Sequence, residues 1–483
     1  MDEINPAKVD HAGNELGGDV YGAFRDGCLA GVRAVAGTAF PRSAPILTKP
    51  APGWRKTALD ATAHIPSGYT YLAQLLGHDM GRSVDAADFP NVEAAEYERA
   101  HPTAAPDARG NGTRLLRYNL IRNPLTLETI YGPVPGMLSH LYDPATLLFR
   151  LRESMILAEV FEPTAQHTGA VPSANPIRAL YDERNRDTLM LHELAVVWMQ
   201  YHNQLARRFR ASGMEDRAAL SQARNHAVAT WHKIIRQDIL PKFVHPAIMD
   251  LPVAGLPREW RLNEITLLHG LFRAFHSLPL ANYLLGDKSG RQNLDLLMNF
   301  GITQSTAEAN WEVDWALFFG KRDCGPQSGI SASHDAGLRM PKGLIGVLDL
   351  GSAEKAQPYR PMDGAIKAAL ASGGGRYWRV ADYLQQVMQE FNAQFPGAGA
   401  SDLTVTDLET GPLYYFLQIE AQVFGQTGGF GPFGSALLRA SIEASLGRVA
   451  LGDRLSAKEQ NALPGTMLDL ITLVRSEKDG KEA

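Results

Sequence analysis

The apolar residues of this chain recur at steps of three and four, and no stretch alternates with a period of two long enough to build a sheet. Leu191, Leu194, Trp198, Tyr201 and Leu205 line one side of a predicted helix, His192 to Arg208. Leu220, Ala227, Trp231 and Ile234 do the same in the next helix, which is expected to stop before Pro241 because proline has no amide to donate. Asn263 opens a third, with Leu267, Leu271 and Phe275 on one side, and it breaks near Pro279. Stripes at this spacing bury themselves by packing helix on helix. The predicted fold class is mainly α, with long loops and little β.

Residues 1–60 are rich in Gly, Pro and Ala and read as an irregular N-terminal arm with one short helix around residues 20–35. Residues 61–475 read as a single helical domain, since no linker separates two cores. Within it, residues 283–365 mix short helices with long loops, a helix runs from Tyr377 to Ala393, and the last helices flank a glycine-rich turn at Gly428 to Gly434. The tail, residues 476–483, is charged and expected to fray.

Composition removes several function classes. Hydrophobic residues are 45% and charged residues 20%, an ordinary globular balance. A formal charge of −5 leaves no basic stripe for nucleic acid. Cys28 and Cys324 are the only cysteines, too few for a disulfide framework, and no His-Glu-x-x-His or Cys-x-x-Cys supports zinc. No stretch reaches the ~20 apolar residues of a membrane span. Met1 to Asp10 is polar, without the basic and apolar regions of a leader, so the default location is the cytoplasm. A chain whose leader had been removed would read the same way. Gly429 to Gly434 matches Gly-x-Gly-x-x-Gly in form only: no strand precedes it and Pro432 lies inside it. Gly373-Gly374-Gly375-Arg376 lacks the Lys-Ser/Thr of a phosphate loop.

One predicted helix stands apart. Pro66-Ser67-Gly68 places a serine cap ahead of Tyr71-Leu72-Ala73-Gln74-Leu75-Leu76-Gly77-His78-Asp79-Met80. Gln74 and His78 are four residues apart, so both leave the same face of an otherwise apolar helix. A hydrogen-bonded core histidine is the ordinary reading of such a pair. Three further groups suggest a shared site: Arg184 within Asp182-Glu183-Arg184-Asn185-Arg186-Asp187, His276 within Phe272-Arg273-Ala274-Phe275-His276, and Thr410-Gly411-Pro412-Leu413 followed by Gly431-Pro432-Phe433-Gly434.

Taken in order, these blocks resemble the animal-type haem peroxidases of the peroxidase–cyclooxygenase superfamily, in their compact bacterial form. Gln74-Leu75-Leu76-Gly77-His78-Asp79 is similar to the family's Gln-Phe-x-Asp-His-Asp. His192-Glu193-Leu194 through His202-Asn203-Gln204-Leu205-Ala206 resembles its His-x-Leu and Glu-His-Asn-Arg-x-Ala pattern. Asp182-x-Arg184 resembles the arginine loop, and Phe272-Arg273-x-x-His276 the proximal-histidine helix. The resemblance runs from about residue 60 to about 450.

What the resemblance implies is a single large helical domain holding haem b, with His276 as the iron ligand and His78 as the distal base. An imidazole with a near-neutral pKa would move the peroxide proton from one oxygen to the other. Arg184 would stabilise charge on the leaving oxygen, and Gln74 would hold a distal water or halide. Asp187 and Arg273 stand at the remaining cofactor-contacting positions. The implied partners are hydrogen peroxide and a small organic or halide donor, in a response to oxidative stress. The family's calcium loop would draw on Asp79, Thr126 and Glu128. His202 and Asn203 match a structural part of the family and are expected to hydrogen-bond in the core.

The chain also departs from the pattern. The aspartate that precedes the distal histidine, which can form an ester to haem, is Gly77 here. Asp187 is one methylene shorter than the family's glutamate, which counts against a second ester. The asparagine that accepts from the proximal imidazole is missing, with Ser352 as the nearest replacement. These departures keep two alternatives open. One is a haem-dependent dioxygenase or oxidase acting on a lipid or specialised metabolite. Arg273 stands against it, where those dioxygenases carry a tyrosine. The other is a non-catalytic haem-binding or haem-free scaffold.

Overall fold

A computed structural model gives the fold and describes residues 65–85, 117–133, 141–151, 180–256, 261–262, 267–275, 278–280, 282–294, 296–298, 311–321, 325–330, 387–389, 392–393, 413–425, 428–449 and 455–479. The expected arm over residues 1–60 lies outside them, as does most of the helix expected from Tyr377; residues 387–389 and 392–393 of that stretch are helical.

Helix α1 spans Gly68–Met80 and opens where Ser67 predicts, but the serine side chain makes no cap hydrogen bond. Backbone fixes the entry instead. Ile65–Pro66 pairs antiparallel with Gln327–Ser328, and the Ser67 amide donates to the Pro326 carbonyl at 2.8 Å. Gly68 lies so close to the Phe318 carbonyl and the Phe319 ring that a Cβ would come within 2.9 Å of each. A larger residue would push the helix off this seat.

Helices α2, Leu189–Ala211, and α3, Asp216–Ile234, form the antiparallel pair that the periodicity predicts. Thr188 starts α2 by accepting from the Leu191 amide at 3.2 Å, satisfying one of the open amides of a helix start. Gly213 makes the turn between the helices with a φ of 90°, a conformation that suits glycine. Trp198 meets Trp231 edge to face at 5.5 Å, and both rings are fully buried.

The second predicted helix does not stop before Pro241. It passes through a π turn, Ile235–Ile239, into a last piece, Leu240–Phe243, with Pro241 in its first turn. Pro241 follows directly on that π turn, where the Leu240 amide donates to the Ile235 carbonyl and the regular ladder is already interrupted, so the missing proline amide is accommodated there. The π turn carries Asp238, which accepts from the Tyr69 hydroxyl at 2.6 Å and from the Met467 amide at 2.8 Å. One carboxylate thus joins the start of α1 to the start of the final helix, Met467–Asp479.

The third predicted helix is described as a π turn over Leu267–Leu271 followed by Phe272–Ala274. Near the C-terminus, α4 (Leu413–Phe424) and α5 (Pro432–Leu446) flank the glycine-rich turn. That turn ends earlier than expected, because Pro432 already begins α5. Glu420 of α4 accepts from the Phe433 and Gly434 amides at 2.6 and 3.0 Å, so a carboxylate sits at the positive end of α5. The final helix, α6 (Met467–Asp479), runs past Ser476. Strand is confined to short pairs among the described residues, and the fold is mostly helical. No described helix is long and apolar enough to cross a membrane.

Candidate active site

Helix α1 is buried nearly all round. Leu72, Leu75, Leu76 and Met80 are at most 1% exposed, while Gln74, Gly77 and His78 keep partial exposure. Those three positions are spaced i, i+3, i+4, so they form one face. The helix therefore opens along a single narrow stripe, and the stripe carries the two polar residues singled out from the sequence. The Gln74 amide makes no hydrogen bond among the described residues.

The 3₁₀ turn Glu183–Arg186 brings two side chains to His78. Nδ1 of the His78 ring lies 3.0 Å from Oδ1 of Asn185. The Asn185 amide nitrogen donates to the Thr129 carbonyl at 3.1 Å and lies 3.0 Å from the Thr129 hydroxyl oxygen. That hydroxyl donates to Asp182 at 3.1 Å. Arg184 closes the group: its Nε and Nη2 donate to Asp182 at 2.9 and 2.5 Å, and its Nη1 and Nη2 donate to the Gly81 and His78 carbonyls at 2.9 and 3.2 Å. Cation and carboxylate here share a forked ion pair, and the guanidinium also satisfies carbonyls at the end of α1.

This surrounding sets the protonation of His78. Burial, and then the nearby Arg184 charge, lower its pKa to about 4, below the near-neutral value expected from the sequence. The ring is therefore a neutral imidazole at physiological pH. Asp182 is held below the usual carboxylate range by its bonds to Arg184, which outweigh its burial. Sequence reasoning missed Asn185. It stands beside Arg184 in a polar run, and only the turn directs it at the histidine ring.

No protein-family model matches the sequence, and no curated protein aligns with it. Solved structures do match. Peroxidase A of Dictyostelium discoideum superposes with a TM-score of 0.51 at 13% identity, over 92% of this chain and 88% of that one. The chain shares the helical fold of that peroxidase. A fatty acid alpha-dioxygenase of Oryza sativa also matches, with a TM-score of 0.37 at 10% identity, over 86% of this chain and 78% of that one.

On this fold the described residues bring together His78, Gln74 and Arg184. The residues expected on the far side of a haem fall differently. His276 and Ser352 lie outside the described residues, as do the side chains of Arg273 and His269. The backbone leading to His276 is described, and it packs against the His78 end of α1. Phe272 stands over Gly77, where a Cβ would meet its ring at 3.7 Å, and Leu268 fills the space beside Gly81. Phe275 meets Phe243 and Phe430 at 4.9 and 5.3 Å. Asp187 ends the 3₁₀ turn with an exposed side chain, and Arg186 pairs with Glu183 at 3.4 Å.

The α1 side of the site fits a haem. It offers a neutral imidazole whose Nε2 has no partner among the described residues, set on a helix otherwise packed in apolar side chains. The expected calcium donors do not fit their ion. Asp79 accepts from the Leu127 and Thr129 amides and from the Trp231 indole, at 2.9, 3.3 and 2.9 Å. Glu128 accepts from the Arg122 and Asn123 amides and from the Asn123 side chain, at 3.1, 2.7 and 2.9 Å. The Thr126 hydroxyl donates to the Asn123 carbonyl at 2.7 Å. A hard cation needs oxygen lone pairs aimed at it, and here N–H groups occupy them. Burial leaves the Asp79 pKa at about 7 despite these donors. His202 and Asn203 lie in the core: His202 meets the Tyr131 hydroxyl at 3.1 Å, and Asn203 bonds both the amide and the carbonyl of Phe149 at 2.9 Å.

Proposed function

We propose that this chain is a haem-dependent oxidoreductase of the peroxidase type, cleaving hydrogen peroxide heterolytically and oxidising a small organic or halide donor. Peroxide is reduced to water, and the donor supplies the two electrons. The observation that carries this reading is the neutral His78 ring, oriented by Asn185 on the one open stripe of a buried helix.

Haem b, held through His276, would supply the redox chemistry. The chain's own residues handle protons and position. Nε2 of His78, turned away from Asn185, takes the proton from one peroxide oxygen and returns it to the other. A pKa of about 4 makes the ring a weak base for the first transfer and its conjugate acid a ready donor for the return. Gln74, one turn away, offers its amide to a water, halide or peroxide oxygen. Arg184 sets the geometry of the helix end. Its charge is balanced by Asp182, so its pull on a leaving oxygen is that of an ion pair, weaker than that of a bare cation.

The purified full chain, reconstituted with haem, is expected to show a Soret band and to oxidise a phenolic donor with peroxide. His78→Ala is expected to lower that turnover by about 10²- to 10⁴-fold. A chain that takes up no haem would be a haem-free scaffold. Oxygen uptake with a fatty acid, without peroxide turnover, would replace peroxidase by dioxygenase.

A further inference from the structure

We infer that Asn185 is a positioning residue that holds the His78 proton on Nδ1, leaving Nε2 as a permanent lone pair facing the open stripe. The inference rests on the proposed reading for its catalytic meaning, but its geometric content stands alone.

A neutral imidazole has one N–H and one lone pair, and its partners decide which nitrogen holds which. The partner of Nδ1 is the side-chain amide of Asn185. An amide presents either a donor or an acceptor, depending on which way it is turned. Here the choice is forced from the other end. The Asn185 amide nitrogen faces the Thr129 backbone carbonyl at 3.1 Å. That carbonyl can only accept, so the group facing it must donate. Reversing the amide would set two carbonyl oxygens against each other in a fully buried place, since Asn185 is 0% exposed. Asn185 therefore turns its oxygen toward His78, and an oxygen can only accept. Nδ1 must carry the hydrogen.

The chain of constraint continues outward. The Thr129 hydroxyl donates to Asp182, so its oxygen is free to accept the second Asn185 hydrogen at 3.0 Å. Both hydrogens of the Asn185 amide are thus taken. Asp182 also anchors Arg184, whose Nη2 reaches the His78 carbonyl. Ring and backbone of His78 are held by one connected group, and Asn185 is its only member that touches the ring among the described residues. Free histidine favours the opposite tautomer, with its hydrogen on Nε2. Without Asn185 the nitrogen facing the stripe would carry a hydrogen most of the time and could not accept one.

The test is the tautomer itself, read by nitrogen NMR of the full chain carrying ¹⁵N-labelled histidine. A haem-bearing sample would be held in its diamagnetic ferrous carbonyl form. The His78 signal is identified by its loss in His78→Gln. Wild type is expected to show a protonated Nδ1 and a bare Nε2. Asn185→Leu, which removes the acceptor, is expected to move the hydrogen largely to Nε2 and to lower kcat/KM for peroxide by about 10- to 100-fold. If the leucine variant fails to fold, the wild-type spectrum alone decides, since the Thr129 carbonyl leaves the Asn185 oxygen no other direction than the His78 ring. A bare Nδ1 in wild type, or an unchanged pattern in a folded Asn185→Leu, overturns the inference. Absence of haem or of peroxide turnover would sink the proposed function and leave the tautomer result intact.

Discussion

The indole N–H of Trp231 donates to Oδ2 of Asp79 at 2.9 Å, across 152 positions of sequence. Asp79 follows His78 directly, so this bond fixes the helix end that presents His78. The Leu127 and Thr129 amides complete the shell. Trp231→Phe removes the donor to a buried carboxyl and also part of a fully buried ring that packs on Trp198. It should cost about 1.5–3 kcal/mol in urea unfolding. Chelators should leave the thermal midpoint unchanged, because N–H groups occupy the carboxylate oxygens. A drop of several degrees in EDTA would show that a cation shares them.

Gly77 lies in a helix interior with ordinary van der Waals room for one methyl group beside Phe272. Gly77→Ala should therefore gain about 0.5–1 kcal/mol from reduced backbone freedom in the unfolded chain. Gly77→Asp should be less stable than Gly77→Ala, since it sets a carboxylate beside the Phe272 ring. Equal midpoints for the two variants would contradict this packing.

Arg184 uses all three guanidinium nitrogens. Lysine presents a single ammonium and cannot span Asp182 and both carbonyls at the end of α1. Arg184→Lys should destabilise the chain by about 2–4 kcal/mol, because Asp182 would keep its burial and lose its fork. A variant as stable as wild type in denaturant would mean that charge alone suffices there.

Glu193 is buried against Trp315 Nε1 at 2.9 Å, and burial lifts its pKa to about 7. Between its ordinary value and 7 the folded state holds a proton that the unfolded chain has released, so this group's contribution falls as pH rises through that window. His202 and His232 act in the opposite direction. Burial lowers them to about 3 and about 4, so below pH ~6.5 the unfolded chain binds protons first and stability falls with acid. Glu193→Gln should thus be more stable than wild type at pH 8, on the order of 1–3 kcal/mol, and its acid limb should be steeper. Parallel midpoint profiles from pH 4.5 to 8 would refute the assignment.

The helical class was legible because a 3.6-residue stripe survives in the order of the residues, as Leu191 to Leu205 and Leu220 to Ile234 show. Gln74 and His78 were legible for the same reason, being one turn apart. The continuation of α3 past Pro241 was not, because the π turn that accommodates the proline leaves no mark in the residue pattern. The missing cap at Ser67 was equally hidden: the backbone pairing of Ile65–Pro66 with Gln327–Ser328 fixes the entry of α1.

By itself, the sequence determined the class of the fold and singled out Gln74, His78 and Arg184 as candidates, since both depend on local spacing and on side-chain chemistry. Tertiary structure alone decided what each group is able to do. Asn185 became the partner of the His78 ring, Arg184 was tied to Asp182, and the oxygens of Asp79 and Glu128 went to N–H donors. Those outcomes depend on which atoms meet in a buried space, where every donor must find an acceptor, and spacing along the chain does not record such meetings.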